Sequence, residues 1–124
     1  LLFSPGTQVK YQSMGILLAA EIAERITRQP FRAFLAKELF APLGMSATAL
    51  GLGKHKIPET AQCQVPMNDN WHWNSPYWRD LGAPWGGAHA NTADVAKLLA
   101  YFLQPTDRVL KPATARQMVT NQNA

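Results

Sequence analysis

Between Ser13 and Ala41 the chain meets a single proline, Pro30, and a single glycine, Gly15, and this spacing confines the stretch to two helices joined at a corner. Pro30 disfavours helical geometry at Gln29 and suits the first position of a new helix. Ser13 is an expected N-cap, and the first helix is expected from Met14 to about Thr27. Its first half, Met14 to Ala20, is apolar all round. Its second half sets Glu21, Glu24, Arg25 and Arg28 opposite Ile22, Ala23 and Ile26. The start is therefore expected to be deeply buried and the end to reach the surface. In the second helix Phe31, Phe34, Leu35 and Leu39 repeat at three and four, with Arg32, Lys37 and Glu38 outside. Ala41-Pro42 ends it, and Leu43-Gly44-Met45 turns the chain away.

The flanks read differently. Pro5-Gly6 is a turn signal, and the alternation at Val9, Lys10, Tyr11 and Gln12 indicates a short extended segment. From Ala49 to about His89, Gly51, Gly53, Pro58, Pro66, Pro76, Pro84 and Gly86-Gly87 interrupt every periodic run, so this part is expected to be mainly loop. A connection of that length is uncommon in a compact domain unless it is functional or held down by other parts of the molecule. It contains the aromatic residues Trp71, Trp73, Tyr77, Trp78 and Trp85. Asn91 with Asp94 marks a helix start, and Val95, Leu98, Leu99 and Phe102 follow at helical spacing to about Leu103, before Pro105. Pro112 opens a last helix with Ala115, Met118 and Val119 on one side. The expected fold class is mostly α, with four principal helices and a long irregular aromatic loop.

A chain of 124 residues fits one small domain that buries roughly 65% of its unfolded surface. The net charge of +4 is scattered over helix faces and loops with no basic run that could follow a phosphate backbone. Nucleic acid is therefore set aside as a partner; a DNA-binding helix-turn-helix would rest only on that charge and the corner at Pro30. No apolar run approaches the ~20 residues of a membrane span. The one cysteine, Cys63, cannot form an internal disulfide and reads as a free structural thiol. His55, His72 and His89 are too scattered for a helical ligand pair, so neither a metal nor another cofactor is expected. The opening at Leu1-Leu2-Phe3, without an initiator Met or a leader, implies a missing natural N-terminus. Exported, periplasmic and cytoplasmic locations all remain open.

Two landmarks carry a resemblance. The segment FSPGTQVKYQSMGILLAAEIAERITRQPFRAFLAKELFAPLGMSAT resembles the middle of the serine β-lactamase and penicillin-binding-protein-like superfamily, close to its class C, D-aminopeptidase and esterase branches. There a Pro-Gly…Tyr-x-Asn box precedes a long helix, and a Pro-Leu-Gly-Met element with a Thr three residues on closes the next. Trp85-Gly-Gly-Ala-His-Ala-Asn-Thr-Ala-Asp-Val-Ala-Lys is similar to that family's Gly-Gly-x-x-Ser-Thr-x-x-Asp helix start. The resemblance implies the helical subdomain of a β-lactamase-like α/β serine hydrolase fold, with residues 1–124 forming one partial domain. Where the family usually has a Gly at the corner between the helices, this chain has Arg28 or Gln29, which costs little if the helix ends without a left-handed cap.

By the same resemblance Tyr11 is the family's general acid/base, which takes the proton of the nucleophilic serine and later returns one to the leaving group. A phenol with a pKa near ~10 needs adjacent cations to act as a base. Lys10 points to the opposite face of an extended segment. The helper would be the Lys of Ser-x-x-Lys, which does not occur here: Ser4, Ser13, Ser46 and Ser75 are followed at the third position by Thr7, Ile16, Ala49 and Trp78. The Lys-Thr-Gly or His-Thr-Gly strand motif is also absent. Taken without the resemblance, Tyr11 would be a packing tyrosine bonded to a backbone carbonyl. Ser13 stands where the family has an Asn that contacts the substrate carbonyl, and a hydroxyl offers one donor in place of two.

Trp85, Gly86 and Gly87 are candidate substrate-binding residues. The aromatic group could wall a pocket for an acyl or aryl moiety, although packing of the loop onto its own helices is the blander reading. Gly86-Gly87 fits close backbone approach, since the Lys-Ser/Thr of a phosphate loop is missing. Ser46 in Gly44-Met45-Ser46 lacks the second Gly and the preceding strand of a nucleophile elbow.

The expected function is a part of a serine hydrolase acting on an ester, amide or β-lactam through an acyl-serine. The chain alone is expected to be inactive. Its expected partners are a small-molecule or peptide-like acyl substrate and the remainder of the same polypeptide. The rival is a non-catalytic helical binding module or an inactive homologue.

Overall fold

The architecture comes from a computed structural model that describes residues 3–64, 66 and 70–121. It is mostly α-helical. The elements run α1 (Ser13–Thr27), α2 (Phe31–Leu35), a π-helical turn (Ala36–Phe40), β1 (Ala49–Leu50), a 3-10 turn (Ile57–Glu59), α3 (Pro76–Asp80), β2 (Ala88–His89), α4 (Thr92–Leu103) and α5 (Pro112–Met118). Before α1 the chain turns at Pro5-Gly6, where Gly6 takes φ 80° and the Thr7 N–H donates to the Ser4 carbonyl.

The corner at Pro30 forms as expected, by a different route. The cap of α1 is Gln12, whose side chain makes no capping bond, and Ser13 is already helical, so the anticipated Ser13 cap is corrected. Arg28 ends the helix in the left-handed region at φ 56° and ψ 34° and donates its N–H to the Glu24 carbonyl. The left-handed cap that the sequence reading made conditional is thus present, on a residue whose Cβ makes it cost roughly 1–2 kcal/mol. Pro30 is the cap of α2, ahead of its first position, and the Glu24 carboxylate accepts the Phe31 N–H. A residue expected on the polar outer face therefore secures the next helix.

After Leu35 the ladder widens. The Ala41 N–H bonds the Ala36 carbonyl and the Met45 N–H bonds the Phe40 carbonyl, both spanning five residues. Pro42 cannot continue an α-helical ladder, and the wider turn brings consecutive Leu39 and Phe40 against the core. That core consists of Phe40, Leu43, Met45, Tyr101 and Ala115, with Leu35, Leu98 and Phe102 packed on it. The Tyr101 hydroxyl donates to the Leu110 carbonyl at 3.2 Å and accepts the Leu110 N–H at 2.9 Å, which holds the α4–α5 connection over the core.

The stripes proposed for the helices are only partly buried. On α4 the inward residues are Asp94, Leu98, Tyr101 and Phe102, while Val95 and Leu99 are exposed. On α5 Ala115 is fully buried and Met118 and Val119 are exposed. The largest departure is α1. Ala20 is its one buried residue, and Met14, Ile16, Leu18, Ile22 and Ile26 face outward. The deep burial expected at its start is absent because the helix packs chiefly on the short α2.

The segment from Ala49 to His89 is less irregular than its breakers indicated. β1 and β2 pair antiparallel with Ala49 opposite His89 and Leu50 opposite Ala88, so the segment is drawn closed at its ends. α3 begins at Pro76 behind Ser75, whose hydroxyl oxygen accepts the Trp78 N–H.

Candidate active site

Tyr11 lies in the extended lead just before α1, 94% exposed and without a side-chain hydrogen-bond partner among the described residues. The alternative of a phenol locked onto a backbone carbonyl is therefore not what the structure shows. Ser13 sits half-buried one step on, at the start of α1.

Trp85, Gly86 and Gly87 form the turn that leads into β2. The amides of Gly86 and Gly87 both donate to the Ala83 carbonyl, and the Gly87 carbonyl accepts the Gly51 N–H at 2.8 Å. A Cβ on Gly87 would collide with the Ala83 amide and the Gly82 backbone, whereas one on Gly86 would meet nothing. Close backbone approach thus explains Gly87 and not Gly86.

This turn is oriented by Arg32 of α2, whose Nη2 donates to the Asp80 carbonyl at 2.9 Å and the Leu81 carbonyl at 3.3 Å. The Asp80 carboxylate faces Arg32 Nη1 at 3.4 Å and accepts the Leu52 N–H at 3.1 Å. Gly82 lies against the clamp at φ 62°, where a Cβ would stand 2.9 Å from Arg32 Nη2. The ion pair is exposed and adds little stability. Its effect is to join α2, the residues after β1 and the approach to Trp85.

Beside the turn lies an open cavity of about 770 Å³. Its walls include Trp73, Trp78, Trp85, Arg79, His55 and His89. The aromatic residues stack mainly on one another: Trp73 on Trp78 with centroids 4.8 Å apart, Trp78 on Tyr77 at 5.4 Å, and Tyr77 on Trp71 at 4.8 Å. His55 Nε2 lies 3.1 Å from the Ala47 carbonyl and His89 Nε2 lies 3.2 Å from the Arg79 carbonyl. Because a carbonyl only accepts, Nε2 carries the proton in both rings. Tyr11 and Ser13 are not among the walls, so the candidates divide into one group at the α1 lead and one at the cavity. Among the described residues no three His, Cys, Asp or Glu side chains are grouped to hold a metal ion.

A further residue binds the two sequence landmarks together. Asp94, 2% exposed, accepts the Ala47 N–H at 2.7 Å, the Thr48 hydroxyl at 3.0 Å and Lys97 Nζ at 2.7 Å. Hydrogen bonding from Lys97 first, with the Ala47 amide and the Thr48 hydroxyl, holds its carboxyl below the usual range against the opposing effect of burial. Lys97 also donates to the Gly44 carbonyl. Asp94 had been read as the acid of the second landmark and as a charge favouring the helix dipole, not as a tie to the turn at Ala47. Arg79 was not singled out, since an isolated Arg carries no periodic signal, and His89 was read only as one of three scattered histidines and as part of the second landmark.

The family model described as beta-lactamase matches residues 1–124. D-amino acid amidase from Ochrobactrum anthropi SV3, solved with L-phenylalanine amide, is similar at 25% identity and a TM-score of 0.69, over 91% of this chain and 33% of the amidase. The octameric penicillin-binding protein homologue from Pyrococcus abyssi shares the fold at 19% identity and a TM-score of 0.73, over 95% of this chain and 26% of that one. The chain thus spans about a third of the amidase. No curated protein matches it.

Proposed function

Since the chain belongs to the beta-lactamase family, we propose that it forms the helical part of a serine hydrolase whose nucleophilic serine and accompanying lysine come from the remainder of the same polypeptide. Residues 1–124 then make one partial domain. In this reading Tyr11 is the general acid/base of acyl transfer to the serine, and the Trp85-Gly86-Gly87 turn faces the substrate. The observation that carries it is the open phenol of Tyr11 at the foot of α1, where a nucleophile from outside the chain can approach it. The substrate class is a small ester, amide or β-lactam, and Ser13 in place of the family's Asn weakens the case for a lactam. One of the similar structures holds L-phenylalanine amide, which supports an amide of that size.

The test uses the complete protein and an activated ester such as p-nitrophenyl acetate. Tyr11→Phe is expected to lower kcat/KM by about 10²–10⁴-fold, the range of a lost proton-transfer group. Turnover unchanged by that substitution overturns the assignment. The 124-residue chain alone is expected to give no acylation burst. A rival reading, a non-catalytic helical binding module, draws on the outward apolar face of α1. It gains if the complete protein binds acyl compounds without turning them over.

A further inference from the structure

We infer that the cavity beside Trp85 receives a carboxylate carrying an aromatic or bulky apolar group, anchored by the guanidinium of Arg79. Arg79 lies on α3 in the cavity wall. Its Nη2 donates to Oδ1 of Asn74. That amide is itself buried and fixed: Oδ1 accepts the Cys63 N–H at 2.8 Å and Nδ2 donates to the Cys63 carbonyl at 2.8 Å. The direction of the guanidinium is therefore set before any ligand arrives.

What it lacks is a countercharge. Asn74 is neutral, and among the described residues no carboxylate pairs with Arg79. Its Nε–H is shut off from solvent without an acceptor. A half-buried guanidinium whose side-chain acceptor among the described residues is one neutral oxygen keeps Nη donors on the cavity side that can meet an anion with charge-assisted bonds. Glu59, on the same wall, is committed elsewhere, because its carboxylate accepts the Lys56 N–H at 3.1 Å and closes the 3-10 turn. His55 and His89 both spend their Nε2–H on carbonyls.

Cavity size and lining define the rest of the ligand. About 770 Å³ falls within the ~300–1,000 Å³ of small-molecule sites and far exceeds a lone inorganic anion. Trp73 and Trp78 present a wall braced by the row running through Tyr77 to Trp71, so little ordering is needed when a ring packs on it. The carboxylate meets Arg79 with charge-assisted bonds, and the apolar group meets the indoles. The inference deepens the hydrolase reading and rests on it only for the ligand being part of a substrate, its carboxylate then being a group separate from the scissile acyl carbonyl.

The experiment titrates the tryptophan fluorescence of the complete protein with phenylacetate and, separately, with its neutral isostere phenylacetamide. Phenylacetate is expected to bind at least about tenfold more tightly, the effect of one hydrogen bond to a charged group. Arg79→Gln, checked for folding by circular dichroism, is expected to erase that preference while leaving phenylacetamide affinity unchanged. Equal affinities in the wild type, or a preference that survives Arg79→Gln, overturn the inference. If the variant does not fold, wild-type protein is treated with phenylglyoxal and the Arg79 peptide followed by mass spectrometry. Protection by phenylacetate and not by phenylacetamide supports the anchor; no protection overturns it. Because these measurements read binding, a protein that hydrolyses esters without the preference sinks this inference alone. One that shows the preference without Tyr11-dependent turnover sinks the hydrolase reading alone.

Discussion

α1 and α4 both carry apolar faces, and only one of those faces is used. α4 lays Leu98, Tyr101 and Phe102 against Phe40, Leu43 and Met45, and its Asp94 reaches across to the Ala47 amide and the Thr48 hydroxyl. α1 is longer, 15 residues against 12, and carries Met14, Ile16, Leu17, Leu18, Ile22 and Ile26, yet among the described residues it packs chiefly on α2. The difference shows that an apolar helix face states a need for a partner without stating where the partner is. For α4 the partner lies within the chain. For α1 the proposal is that it lies in the remainder of the polypeptide.

This contrast can be broken by mutation. The largest effect is expected at Tyr101→Ala, which empties a buried aromatic site and should cost about 3–5 kcal/mol in urea unfolding. An effect under about 1 kcal/mol would mean that the α4 face is not the core it resembles. Tyr101→Phe keeps the ring but leaves the Leu110 N–H without its acceptor, and about 1–3 kcal/mol is expected.

Asp94 gives a dependence on pH. Its folded-state pKa is depressed, so the unfolded chain binds the extra proton first, and the stability this carboxylate contributes is present above its ordinary value of 3.8. It is lost as pH falls from about 5 through the lowered folded value. Melting temperature should drop on acidification over that window, and Asp94→Asn should lower it at pH 7 while flattening the acid limb. An unchanged acid limb in the variant would remove Asp94 as the tie between α4 and the turn at Ala47.

Smaller effects belong to α1. Arg28→Gly relieves the left-handed cap and should raise stability by about 0.5–1 kcal/mol net of the glycine's added freedom in the unfolded chain. Loss of stability would mean that the Arg28 side chain matters more than its φ. Ile22→Ala should change the stability of the 124-residue chain by less than about 0.5 kcal/mol. In the complete protein the same substitution should cost about 2 kcal/mol or more if the rest of the polypeptide covers the helix. Equal small values in both would leave α1 a solvent-facing helix and remove a reason to propose that further polypeptide completes the domain.

Much of the fold was legible locally. α1 falls within a residue of its expected start, the Asn91 side chain caps α4 by accepting the Asp94 N–H at 2.8 Å, and Pro105 and Pro112 bracket the α4–α5 connection. Each follows from chemistry within a few residues. The β1–β2 pair was missed because two-residue strands carry no alternation to read, and their pairing joins Leu50 to Ala88. The π-helical turn was missed because its α-helical spacing of apolar residues is intact up to Leu39.

Among the site residues, Tyr11 and the Trp85-Gly86-Gly87 turn were named from the two landmarks. Their separation into a solvent-facing lead and a cavity wall was not, nor was the role of Arg79. The Asp94 tie joins the landmarks through residues 46 and 47 positions apart, although both ends had been noted for other reasons.

The order of residues alone dictated where helices begin and stop, since caps, prolines and periodicity act over one or two turns and are independent of distant chain. It also placed a tyrosine before one long helix and a glycine pair before the next longest. Three-dimensional packing chose which apolar faces are covered, drew Ala49 to His89 and Asp94 to Thr48, and set Arg79 beside three tryptophans with no carboxylate paired to it among the described residues. Such outcomes depend on which surfaces meet across dozens of residues, and burial, countercharge and close approach exist only once they have met.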